Sequence, residues 1–428
     1  MKLHKFFTII AAIFLLINCL PLFSFAQEGE PDIKTQAQEH RSLGGRFHHE
    51  GKLEEAEREY KKSIELDPLV PQVHQELGAL YDDMGKYDDG VIELKKALDL
   101  DAKFVEAYIN LGVIYYHQAN RDDSTAAFKK AIELEPKSTA AHLNLGVILM
   151  DSKKYEDAAV EFNKVLETDP KNNEAKVNLA LLSFYQGKTD EAKTALENVL
   201  KATPDFYQAY LNLGVILISE NKLDDAQAQI KKALEINANS AEAHYNMGFI
   251  LYKQGKIEDA IDEFLKANDS RPSMVEPHIN LGTIYIQQGR MDEAEAELNK
   301  AKDVAPGNPD VHVNLGSFYI RKGNYDKALE DLKAALAIDS KNVPALINIG
   351  IAYKNLKDYN ESLKSLNTAL AIEPQNSAIY YNLGNLYALK GDKDKAIENY
   401  QMYLKLSPKA DDAETINAKI KELQKKKK

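Results

Sequence analysis

The chain has 428 residues, 44% of them hydrophobic, with a formal charge of −12, one cysteine and no tryptophan. That charge opposes a general affinity for nucleic acid or anionic lipid, whose phosphates call for Lys and Arg. A lone thiol excludes an intrachain disulfide and a thiolate metal centre, so stability has to come from packing.

Met1 to Lys5 carries two lysines, and Phe6 to Leu20 then runs almost without a polar side chain until Pro21. Ser24-Phe25-Ala26 supplies the small-x-small pattern that a leader peptidase accepts, so residues 1–26 read as a secretory signal cut before Gln27. Two alternatives stay open. Phe6 to Ala26 is long enough to span a bilayer if it is never cut. Lipidation of Cys19 is the other, although Asn18 stands where a lipoprotein signal has a small residue. Cleavage removes Lys2, Lys5 and Cys19, takes the charge from −12 to −14 and leaves a mature chain without cysteine. The expected location is periplasmic or secreted, or anchored to a membrane by the N-terminal segment alone. Gln27 to Gln36 holds Pro31, several acids and little that is apolar, and reads as a flexible lead-in.

From there an apolar-Gly pair recurs every 34 residues, from Leu43-Gly44 and Leu77-Gly78 to Ile349-Gly350 and Leu383-Gly384, with Leu179-Ala180 as a variant. With the glycine at position 8, residues 37–410 divide into eleven uninterrupted units that start at Ala37, Pro71, Val105, Thr139, Asn173, Tyr207, Ala241, Val275, Pro309, Val343 and Ser377. Position 20 is small, as in Ala56, Ala158 and Ala396, with Gly90, Ser124 and Ser362 as substitutes that still let two helices approach closely. Position 24 is bulky, as in Tyr60, Phe128, Phe162, Phe264 and Tyr400. Position 32 is usually proline, as in Pro68, Pro136 and Pro408, which ends the second helix of each pair.

These residues and this period resemble the tetratricopeptide repeat family over residues 37–410. The resemblance implies an all-α fold, a right-handed superhelical solenoid of helix-turn-helix units. The chain departs from the family in lacking tryptophan and in placing Tyr108, Tyr210, Tyr380 or a histidine at position 4, with Lys176 and Leu346 as outliers. One hairpin cannot bury its apolar face alone, so neighbours have to stack and the ends need covers. Asp411 to Lys428 supplies one: Ala413, Ile416, Ile420 and Leu423 fall at helical spacing behind Asp411 or Asp412, so 411–428 reads as a capping helix with a frayed lysine tail.

At 100° per residue, first-helix positions 3, 4, 7, 8, 10 and 11 gather on one side and 2, 5, 6, 9, 12 and 13 on the other. The first set packs the core, and the resemblance implies that the second lines a concave groove. Position 6 of that set is Asn110, Asn144, Asn178, Asn212, Asn246, Asn280, Asn314, Asn348 and Asn382 in nine consecutive units, preceded by Ser42 and Glu76. Asparagine is a mediocre helix former, and its amide offers the donor and acceptor that match the backbone of an extended peptide. The arrangement is similar to the asparagine ladder in the repeats of O-linked N-acetylglucosamine transferase, without that enzyme's catalytic domain. The similarity implies sequence-tolerant peptide binding. Against it stands the reading that each asparagine caps or bridges to the neighbouring helix.

Positions 5, 9 and 12 beside the ladder are largely apolar, including Ile109, Val113 and Tyr116, Leu143, Val147 and Met150, Phe184, and Tyr245, Phe249 and Tyr252. Such a surface reads either as a partner site anchored by aromatics or as packing between repeats. It turns polar late in the chain, with Thr283, Ser317, Lys354, Asn355 and Asn385, while Asp82 and Asp83 make the early units acidic.

Six of the ten histidines, His40, His74, His142, His244, His278 and His312, share position 4, which marks them as core-edge packing residues. Successive copies stand roughly 8–10 Å apart, too far to share a metal. His48, His49 and His117 have no cysteine, serine or carboxylate at a catalytic spacing, and the chain carries no phosphate loop, HExxH or nucleophile elbow. The reading is therefore a non-catalytic scaffold without cofactor, metal or small-molecule substrate. It binds extended peptide or partner proteins, in bacterial cell-envelope assembly. The alternative is an assembly factor that docks folded envelope subunits through its convex face or ends.

Overall fold

The structure is a computed structural model, and it describes residues 32–425. The signal segment, its cleavage site and the last three lysines lie outside the described residues. Within them there are twenty-three α-helices and no strand. None of these helices is long and apolar enough to cross a membrane.

The helices follow the 34-residue frame. First helices begin at Pro71, Val105, Thr139, Asn173, Tyr207, Ala241, Val275, Pro309, Val343 and Ser377, and second helices begin at position 17, from Leu53 to Lys393. The first helix of the first repeat departs. It spans Ile33–His49 and so takes residues 33–36 out of the expected lead-in, because the Asp32 carboxylate accepts from the Thr35 N–H at 2.8 Å and caps it a turn early. The closing helix spans Ala413–Lys425 and lays Ile416 and Ile420 against Ala396 and Tyr400.

Two compact units divide the chain, one ending at Ala195 and the other starting at Leu196. Each is built in the same way. In the first unit, Ala56 and Tyr60 of one repeat pack with Val73, Leu77 and Leu80 of the next, and Leu94 and Ala97 pack with Ala107, Leu111 and Ile114. In the second, Leu366 and Ala369 pack with Ile379, Leu383 and Leu386. Every such core is shared between neighbouring repeats, which is why no repeat is a domain by itself.

The position 8 glycine sets the distance between the two helices of a hairpin. A Cβ on Gly146 would stand 2.5 Å from Phe162 Cε1, and one on Gly384 would stand 2.6 Å from Tyr400 Cδ1. The ring at position 24 occupies the space a side chain would need. Position 20 is tight from the other side: Ser124 and Ser362 fit because each hydroxyl donates to the carbonyl of the facing glycine, Gly112 at 2.5 Å and Gly350 at 2.7 Å. A buried hydroxyl without that bond would be costly.

The turn inside each hairpin uses a left-handed residue at position 15. Seven repeats place glycine there, with φ between +69° and +81°, whereas Ala119, Lys153, Asn221 and Lys357 take φ of +57° to +63°. A side chain in that region costs about 1 kcal/mol. Lys153→Gly is therefore expected to raise the thermal midpoint, by the equivalent of about 0.5–1 kcal/mol, checked by circular dichroism melting. Gly146→Ala is expected to lower it: the new methyl gains helix propensity of about 1 kcal/mol, but overpacking against Phe162 costs about 1–3 kcal/mol. A Gly146→Ala protein as stable as the parent would show that the ring at position 24 does not fix the helix spacing.

Candidate peptide-binding face

Position 6 asparagines sit mid-way along the first helices, each partly buried except Asn382, which is only 8% exposed. Five of them, Asn144, Asn212, Asn246, Asn314 and Asn382, donate from Nδ2 to the carbonyl four residues back in the same helix at 2.8–2.9 Å. Asn348 instead donates 2.8 Å to Ser317 Oγ of the preceding repeat. Asn280 lies within reach of the Tyr245 hydroxyl of the preceding repeat. Back-bonding of this kind consumes one of the two amide N–H groups and leaves the second N–H and the Oδ1 acceptor. Asn110 and Asn178 occupy the equivalent positions in the first unit and are likewise partly buried.

The apolar positions beside them prove to be packing residues first. Ile109, Val113 and Tyr116 lie against Phe128, Leu145 and Ile148, and Leu143, Val147 and Met150 lie against Ala158, Phe162 and Leu182. A helix wheel drawn on one repeat puts these side chains on an outer face, but the next repeat covers part of it. Tyr116, Phe184, Tyr245, Phe249 and Tyr252 are each partly buried. Tyr245 meets the Phe264 ring at 5.8 Å, and Lys253 stands 5.3 Å over Phe249. The more exposed aromatic of this face is Tyr185, 54% exposed and stacked on Tyr155 at 6.2 Å, with Phe184 tilted against it. The sequence signal for it was its position 13, on the outer side of the wheel.

A second repeating tie joins position 12 of one repeat to position 13 of the next. His48 Nε2 meets Asp83 Oδ2 at 2.6 Å, Asp82 Oδ1 meets His117 Nδ1 at 2.7 Å, and the Tyr116 hydroxyl donates to Asp151. In the second unit, Gln287 Nε2 donates to the Tyr252 hydroxyl at 2.8 Å. The acidic pair Asp82 and Asp83 is therefore hydrogen-bonded to histidines rather than offered bare. The later polar residues are also engaged: Thr283 and Asn355 bond back to their own helices through Ile279 and Ile351.

Four of the position 4 histidines, His74, His142, His244 and His312, are held on both ring nitrogens. His142 Nδ1 faces Glu161 at 2.5 Å and its Nε2 donates to the Pro136 carbonyl at 3.0 Å. His74 has the same pair of partners, Glu93 at 2.7 Å and Pro68 O at 3.1 Å. Tyr380 performs half of this duty, donating 2.9 Å to the Pro374 carbonyl. The carboxylate at position 23 was the missed signal, recurring nineteen residues after each histidine. Burial pushes Glu93 upward, but bonds from His74 and Lys96 outweigh it and hold the carboxyl below its usual range. No group of three or more His, Cys, Asp or Glu that could hold a metal occurs among the described residues.

This architecture defines an all-α helical-repeat solenoid. Tetratricopeptide repeat models match residues 71–104, 118–173, 251–315, 316–357 and 342–409, and a model of the C-terminal ARM domain of tetratricopeptide repeat protein 21 matches residues 147–274. The chain belongs to the tetratricopeptide repeat family. It is similar in fold to Cut9 in the APC/C hetero-tetramer Cut9-Hcn1, at 15% identity and a TM-score of 0.53, over 91% of this chain and 97% of that one. Yeast Tom70 aligns at 16% identity and a TM-score of 0.48 over 92% and 96% of the two chains. A tetratricopeptide repeat protein from Parabacteroides merdae aligns at 21% identity and 0.49 over 55% and 94%. No curated protein matches the sequence. The general role of such a repeat array is that of a protein-protein interaction scaffold, typically without catalysis.

The Asp82 hydrogen bond raises His117 above its usual value of 6.5, against the lowering effect of burial. A raised imidazole stabilises the folded state fully below the unfolded-state value and loses that contribution as pH rises through the folded-state value. Asp82→Asn is expected to move the His117 midpoint down in NMR titration of the ring protons; an unmoved midpoint would remove Asp82 as its partner.

Proposed function

We propose that this protein is exported and captures an extended stretch of polypeptide along the position 6 asparagines, in the service of cell-envelope assembly. The observation that carries the reading is the repetition of one amide per repeat, with a second N–H and the Oδ1 acceptor left over where the amide bonds back to its own helix, as at Asn212, Asn246 and Asn314. Local hydrogen bonding explains how a poor helix former is tolerated at that position, but not why the same residue recurs in nine consecutive repeats. The leader-like residues 1–26 support export to the periplasm or beyond.

Replacing Asn212, Asn246 and Asn280 together by alanine is expected to weaken binding of a reduced, carboxymethylated unfolded protein at least tenfold in fluorescence anisotropy. Helicity by circular dichroism should hold, since alanine is the better helix former. Undiminished binding in a folded triple variant would end the reading. Fractionation of the producing cell and N-terminal sequencing test export: the expected mature terminus is Gln27.

A second reading, docking of folded subunits through the second helices, is favoured by Ile236, Ile338 and Ile372. These stand 36–44% exposed at the last position of their helices. Crosslinkers placed at Ile338 and at Asn246 separate the two readings by which one captures the partner.

A further inference from the structure

The tie between position 4 of one repeat and the position 32 carbonyl of the repeat before it is missing at the end of the array. Thirty-four residues after Tyr380 the closing helix carries Glu414, an exposed glutamate whose ionised side chain has nothing to donate. The Pro408 carbonyl accordingly accepts from no protein group among the described residues, whereas Pro374 O takes the Tyr380 hydroxyl at 2.9 Å. With no ring in that place, a cleft of about 630 Å³ opens between the last hairpin and the start of the closing helix. Tyr381, Tyr403, Ser407, Pro408, Ala410 and Asp412 are among the residues that line it.

The groups left around the cleft are acceptors and ring faces. The Tyr403 hydroxyl donates to Asp412 Oδ1 at 2.5 Å, a bond that pushes the hydroxyl up to about 12 and leaves Asp412 Oδ2 as an acceptor. Tyr403 lies against Tyr381, with ring centroids 5.3 Å apart and planes tilted by 58°. Lys419 already stands over Tyr381, 5.9 Å from its centroid, so the tyrosines of this corner receive an ammonium within the folded chain itself. The helix Lys393–Leu406 ends at Ser407, and its last carbonyls bring the negative end of the helix dipole to the cleft. Lys409 is the cation among the lining residues, and it is exposed to water, where its charge is screened.

We propose that this cleft binds an alkylammonium group, borne by a lysine side chain of a partner polypeptide or by a small free amine, with its N–H groups on Asp412 Oδ2 and the Pro408 carbonyl and its methylenes against the Tyr403 ring. A charge-assisted bond to Asp412 supplies the anchor, and the ring offers its face to the cation and its apolar area to the stem. A neutral alcohol of the same length forfeits the charge, and a quaternary ammonium forfeits the hydrogen bonds because it has no N–H. The site does not depend on polypeptide capture by the asparagines, and either can fail without the other.

The test is NMR titration of the full chain, followed on its tyrosine ring protons, with n-butylammonium, n-butanol and tetramethylammonium. The Tyr403 ring resonances are expected to shift, with n-butylammonium binding more tightly than either of the others by about tenfold or more. Asp412→Asn keeps an acceptor for the Tyr403 hydroxyl and should lose about tenfold or more in n-butylammonium affinity, whereas Tyr403→Phe keeps the ring and should retain most of it. Equal affinity for ammonium and alcohol, or unaltered ammonium affinity in an Asp412→Asn protein that melts like the parent, would overturn the site. Should Asp412→Asn fail to fold, the comparison of ammonium with alcohol on the parent chain decides alone. An acetylated, amidated hexapeptide with one central lysine identifies the source. Tighter binding of the peptide than of n-butylammonium supports a polypeptide side chain as ligand, and tighter binding of n-butylammonium supports a free amine. Both outcomes sustain the ammonium site.

Discussion

The structure depends on one steric fact: where each hairpin closes, a bulky side chain at position 24 lies directly against a backbone that carries no side chain. Tyr60 fills the space at Gly44, Phe162 that at Gly146 and Leu332 that at Gly316, all but fully buried. Burying such a side chain is worth about 1.5–3 kcal/mol, and it is earned only if the helices come close enough to leave no void. The small residue at position 20 completes the approach, which explains why its substitutes are Gly90, Ser124 and Ser362 rather than anything larger. Repeating the same contact at a constant period gives repeats of one shape, and repeats of one shape share cores with their neighbours.

A polar tie accompanies the apolar one. The chain leaving each second helix has carbonyls with no helical partner, and position 4 of the next repeat supplies a ring with a donor: His74 to Pro68, His142 to Pro136, Tyr380 to Pro374. The histidine then needs company for its other nitrogen, and the carboxylate at position 23 provides it, steadied by a lysine three residues on, as in Glu93 with Lys96 and Glu297 with Lys300. The family's aromatic at position 4 is thus replaced here by a group that hydrogen-bonds across the repeat boundary. Packing and polar satisfaction at this position are a single requirement.

The period, the small and bulky positions and the helix starts were legible because each is a local consequence of one residue in a fixed frame. Ile33 escaped because a cap is a three-atom geometry: Asp32 and Thr35 carry no period, and nothing apolar marked the extra turn. The apolar positions 5, 9 and 12 were ambiguous for a different reason. A helix wheel knows the face of one helix but not the reach of the next, and Val147 or Met150 is outward on its own helix while packing against a cluster that includes Leu182 of the next repeat. The cavity at the closing helix was also out of reach, since Tyr381, Tyr403 and Asp412 come from three separate segments and meet only once the closing helix is packed.

What the asparagine face would recognise under the proposed function follows from its spacing. First helices of adjacent repeats lie on the order of 10 Å apart, and an extended chain rises about 3.3 Å per residue. One amide per repeat would therefore meet a guest backbone about every third residue, within either unit of the chain. The guest's side chains between those points would fall where the lining is partly buried and already packed, at Val113 or Val147, and so find shallow ground rather than pockets. Under the proposed function such a face would discriminate extended from folded polypeptide far more than one sequence from another. On that reading, whatever sequence preference the protein has must come from elsewhere.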